Sequence, residues 1–94
     1  MPPKSRPKLL TLSPEMKHIC AALISELSTW PGVTMRPMFG FCSVYRGRKI
    51  FAVLPKTRQL EIPGSVAYKE GREWKSVEVG RALAVLERVY EALG

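Results

Sequence analysis

Apolar residues recur at steps of three and four from Met16 onward: Met16, Ile19, Cys20, Leu23, Ile24 and Leu27. That spacing lines one face of an amphipathic helix running to about Ser28. Ser13-Pro14-Glu15 supplies its start. Serine caps free N–H groups, proline suits the first helical position, and glutamate suits the positive dipole end. Trp30-Pro31-Gly32 turns the chain, and the large tryptophan ring is expected to lid an edge of the core. The period then changes to two. Val33 to Met38 reads as a strand that Pro37 confines to a sheet edge or interrupts, and Gly40 permits a kink or bulge beyond it.

A hairpin follows. Cys42 and Val44 alternate with Phe41, Ser43 and Tyr45, while Ile50, Ala52 and Leu54 alternate with Phe51 and Val53. The two runs fold back at Arg46-Gly47, where glycine tolerates the positive φ of a tight turn. Apolar side chains on both faces of the return run predict a central strand, covered by helices on one side and partly shielded on the other. Leu60-Glu61-Ile62 reads as a short strand, Val66-Ala67-Tyr68 as another, and Trp74 to Val79 as a half-buried one. From about Gly80 the period is helical again, with Ala82, Leu83, Leu86, Val89, Tyr90 and Leu93 as the stripe.

Helix, four to five short strands, helix: this order with short connections predicts an α+β fold. An antiparallel sheet carries the N-terminal and C-terminal helices on one face. No helical pattern interrupts the strands, which disfavours a split βαβ arrangement. Residues 1–12 read as a basic, proline-rich tail, since Pro2, Pro3 and Pro7 deny it regular hydrogen bonding. Leu9, Leu10 and Leu12 can dock on the body. Residues 13–94 read as a single domain, and 46% hydrophobic content suffices for one core without disulfide or metal staples.

Cys20 and Cys42 form no C-x-x-C pair and fall at apolar positions, so they are expected to be buried thiols. No apolar run approaches the ~20 residues that span a bilayer, and the first dozen residues lack the apolar stretch of a signal peptide. No membrane contact is expected, and a cytoplasmic location is the default.

Charge changes the picture more. The net charge is +7, and no acid occurs between Glu26 and Glu61. That interval holds Arg36, Arg46, Arg48, Lys49, Lys56 and Arg58. Such a patch attracts phosphate-rich or acidic partners by long-range steering, or serves as a solvated surface that keeps a small protein soluble. Phe39, Phe41, Tyr45 and Phe51 in the same interval are candidates for an apolar interface.

Catalytic chemistry finds little purchase. The chain has no aspartate, which removes Ser-His-Asp arrangements, and its glycines are isolated rather than gathered in a phosphate loop. His18 is the single histidine and has no partner at ligand spacing, so no metal site is expected. No catalytic residue, cofactor or small-molecule substrate is indicated.

Several of these residues carry a resemblance. Val33-Thr34-Met35-Arg36-Pro37-Met38-Phe39-Gly40, then Tyr45-x-Gly47, then Ile50-Phe51-Ala52, resembles the N-terminal domain family of TfoX, the bacterial competence regulators. The resemblance covers about Ser13 to Leu60, with Tyr68-Lys69-x-Gly71 and the last helix fitting more loosely. The hairpin turn is one residue tighter than the family's, and the segment at Pro63-Gly64-Ser65 is shorter. Pro31-Gly32-Val33-Thr34 and Glu73-Trp74 before the final helix are similar, more distantly, to a family of small luciferase-like domains. Both resemblances imply α+β architecture. The first implies a non-enzymatic regulatory or interaction role, with a protein partner or self-association, and supplies no catalytic residues. The alternative reading is a nucleic-acid-binding domain that uses the basic hairpin tip and tail.

Overall fold

The structure, a computed structural model, describes residues 12–57, 60 and 64–93. Helix α1 spans Pro14–Leu27, and the Ser13 hydroxyl oxygen accepts from the Met16 N–H at 3.2 Å, as a capping serine should. Five strands follow: β1 (Val33–Met38), β2 (Phe41–Arg46), β3 (Lys49–Pro55), β4 (Ser65–Glu70) and β5 (Glu73–Glu78). A 3₁₀ turn at Val79–Arg81 leads into α2, Ala82–Ala92. The sheet order is β1-β2-β3-β4-β5 with every neighbouring pair antiparallel, a pure meander. β1 is an edge strand, which accommodates the donor that Pro37 lacks.

Both helices cover the same face of the sheet. Leu23 and Leu27 from α1 and Ala82, Leu86 and Val89 from α2 pack with Val44, Ala52, Leu54 and Val66 in one core. β2, β3 and β4 contribute even-numbered side chains to it, and the edge strands β1 and β5 the odd-numbered Val33, Met35 and Val77 that register against them.

One residue breaks the alternation. Val44 opposes Ala52, but Tyr45 opposes Ile50, so a bulge leaves Phe51 as the extra residue of β3. A bulge turns two successive side chains toward one face. Phe51 therefore joins Ala52 and Leu54 beneath the helices, fully buried, with its ring centroid 6.0 Å from that of Tyr90. Strict alternation placed Phe51 on the opposite face, and the register corrects it.

Tyr90 also closes one end of the core. Its hydroxyl donates to the Pro31 carbonyl at 2.6 Å, and the half-buried Trp30 ring lies 4.9 Å from its ring. The tryptophan thus lids the core edge. Leu12 is buried and donates its N–H to the Thr57 carbonyl at 3.2 Å. Leu9 and Leu10 lie outside the described residues, as do Glu61 and Ile62 of the expected short strand. Leu60 belongs to no strand.

Candidate interaction surface

The sheet face that neither helix covers is set by the odd positions of β2 and the residues registered against them. It carries Arg36 and Met38 from β1, Phe41, Ser43 and Tyr45 from β2, Lys69 from β4, and Trp74 from β5. The Arg36 guanidinium carbon lies 5.5 Å from the Tyr45 ring centroid, a cation–π contact. The Ser43 hydroxyl donates to the Met38 thioether at 3.7 Å. Ser43 is buried on it, as are Pro55 and Ser65 where β3 ends and β4 begins, and exposure is largest on the two edge strands, where Trp74 is 46% and Met38 41% exposed. β1, β2 and β3 contribute no carboxylate.

The β1–β2 turn is the least expected feature. Met38 pairs with Phe41, leaving a two-residue loop of Phe39 and Gly40. Both have positive φ, 48° and 86°, the type I′ pattern that suits the twist of a hairpin. Glycine and asparagine enter this region readily, whereas an ordinary L-residue pays about 1–2 kcal/mol. Phe39 is the one described non-glycine residue there, and its ring is 85% exposed. The Gly40 carbonyl accepts from the Lys56 and Thr57 N–H groups at 3.1 and 2.9 Å, which fixes the turn against the end of β3. A strained backbone thus holds a bare aromatic ring beside a lysine.

The basic residues do not converge. Arg36 lies on the uncovered face, and Lys56 is exposed beside the Phe39 turn. Arg48 and Lys49 are exposed at the opposite end of β2, roughly 20 Å away at ~3.3 Å per strand residue. Arg46 is half-buried and turns to the helix side. It donates to the Tyr90 carbonyl at 2.6 Å and sits 4.1 Å above the centroid of that ring, so its charge serves the last turn of α2. Arg58 lies outside the described residues.

The four apolar candidates separate as well. Phe39 is exposed, Phe41 and Tyr45 are half-buried on the uncovered face, and Phe51 is core. Phe51 is therefore not an interface residue. Met38 and Trp74 belong to the exposed set and were not singled out from sequence. Their signal was present: each lies two residues from a polar residue, Arg36 or Ser76, on the same face of an edge strand.

Reactive chemistry is muted. Cys20 and Cys42 are free and buried, and burial pushes both thiols up; beside Cys42, Lys56 draws the thiol partly back. Protonated buried thiols are poor nucleophiles. His18 is exposed on α1. Among the described residues no three of His, Cys, Asp or Glu gather as metal ligands, and no helix is long and apolar enough to cross a membrane. No protein-family model, curated protein or solved structure matches the chain.

Proposed function

We propose that this chain is a small regulatory or interaction domain, non-enzymatic, that binds a protein partner or a second copy of itself through the Met38–Phe39 turn and the adjoining uncovered sheet face. The observation that carries this reading is Phe39. Its backbone sits in the strained left-handed region while its side chain stays in water, so the fold gains no burial from a phenylalanine at this position. Docking of the ring in a partner's pocket recovers about 1.5–3 kcal/mol, the worth of burying a large apolar side chain. Strain retained at an exposed position is the usual mark of a site kept for function. The sequence resemblance to the TfoX N-terminal domains fits the same regulatory role.

The test is Phe39→Asn, which installs the Asn-Gly pair that type I′ turns favour. Sedimentation velocity at micromolar concentration reads self-association, and affinity capture with mass spectrometry reads hetero-partners. The expected result is loss of the association while the fold is kept. Wild-type protein that stays monomeric and captures nothing specific overturns the reading, as does an unchanged association in the variant.

A second reading, nucleic-acid binding, has its own support in the Arg36–Tyr45 stack and the absence of acid from β1 to β3. In that reading Arg36 and Lys56 contact phosphates and Tyr45 offers a stacking face. Affinity for single-stranded oligonucleotides then falls steeply with salt, and Arg36→Glu weakens it. A mobility shift indifferent to both removes this reading.

A further inference from the structure

We propose that the end of the molecule opposite Phe39 holds a binding site for a small amphipathic anion: an apolar body carrying a carboxylate or phosphate group. This site goes beyond the partner surface above and does not depend on it.

The meander brings the β2–β3 and β4–β5 turns to the same end of the sheet. Both turns are Gly-Arg pairs. Gly47 and Gly71 take the first loop position with φ of 61° and 64°, and Arg48 and Arg72 take the second, each bracketed by a paired strand residue on either side. A Cβ added at either glycine meets nothing within 4 Å, so conformation rather than space calls for glycine there. Between these turns and the last turn of α2 lies a cleft of about 470 Å³. That volume falls in the range of small-ligand sites.

The lining divides by chemistry. Ile50, Val89 and Leu93 give apolar walls, and Arg48 and Lys49 at the β2–β3 turn bring two cationic groups, while Lys69 borders the cleft from β4 with its side chain alternating to the uncovered face. Opposing charge at the cleft is already engaged. The Glu70 carboxylate accepts from Arg88 and, at 3.1 Å, from Lys75. The Tyr90 carbonyl at the negative end of α2 accepts from Arg46. Among the described residues Arg48, Lys49 and Lys69 make no ion pair. An inorganic ion satisfies the cations and leaves the walls wet, and a neutral apolar compound does the reverse. A ligand with both parts uses the whole cleft.

The probe is 8-anilinonaphthalene-1-sulfonate, an aromatic sulfonate whose fluorescence rises when its rings leave water. The full chain should bind it saturably at one site, with amide NMR shifts concentrated at Ile50, Lys69, Val89 and Leu93. Arg48→Glu with Lys49→Glu should weaken binding at least tenfold. Lys17→Glu, a single charge reversal on the first turn of α1, should leave it within twofold. Lys49→Arg, which keeps the charge, should retain most of the affinity. Octanoate should displace the probe, whereas inorganic phosphate at equal ionic strength should not. Shifts mapped to Phe41 and Tyr45 instead, or affinity unmoved by the double charge reversal in a variant whose amide spectrum remains native, overturn the site. Equal displacement by phosphate overturns the amphipathic class.

Discussion

Phe51 and Phe39 make an instructive pair. Each stands in the acid-free middle of the chain, each is next to another apolar residue, and sequence alone made both candidates for one apolar interface. In the fold one is sealed beneath two helices and the other stands 85% exposed on a left-handed turn. The bulge in β3 made the first difference and the two-residue β1–β2 loop the second. Residue type and local context set what a side chain prefers. Register sets which face it reaches.

The comparison predicts opposite effects for the two rings. The largest change belongs to Phe51→Ala, which removes a fully buried ring and its contact with Tyr90. It should cost about 3–5 kcal/mol, a large share of a small domain's stability, measured by urea denaturation. Equal tolerance of alanine at both phenylalanines would break the comparison. Arg46→Ala comes next. Loss of the hydrogen bond to the Tyr90 carbonyl and of the cation–π contact should cost about 1–2 kcal/mol and loosen the end of the core that Phe51 shares.

Phe39→Asn reverses the sign. Relief of the left-handed strain should stabilise the domain by about 1 kcal/mol, raising Tm by roughly 4–8 °C for a chain of this size. A lower Tm would show that the ring contributes to the fold after all.

The smallest expected effect tests charge at the cleft end. Arg88 and then Lys75 hold the exposed Glu70 carboxylate below its ordinary range. A depressed carboxylate stabilises the fold above the ordinary glutamate value of about 4.3, and that contribution disappears as pH falls through the lowered one. Glu70→Gln should therefore flatten the acid limb of Tm against pH slightly and leave the neutral plateau nearly unchanged, as exposed pairs are worth little.

Much of the architecture was legible. Alternation found the strands, Ser13-Pro14 marked the first helix, and Gly47 marked a reversal because few other residues accept that backbone. The helices share one face because the apolar alternate positions of all five strands register onto the side that their stripes cover. The rest depended on pairing. Phe51 cannot be assigned a side until Tyr45 is matched with Ile50. Phe39 reads as ordinary strand chemistry until Met38 is matched with Phe41, which forces it into the loop. Arg46, Arg48, Lys49 and Lys56 read as one cluster along the chain, yet they occupy two ends and two faces, since a strand carries neighbours in sequence far apart in space. The two Gly-Arg pairs, distant in sequence, are neighbours at one end only because a single reversal, between β3 and β4, lies between them.

The strand order has a kinetic consequence. Each strand pairs with the next one synthesised, so most of the sheet needs only short loop closures, and such topologies collapse quickly. The lid over Phe51 arrives last, with Tyr90 near the end of the chain. A nascent sheet therefore has only α1 to cover Phe51 until α2 has followed β5 out of the ribosome, and that interval is when a chaperone would have its claim on the exposed strand.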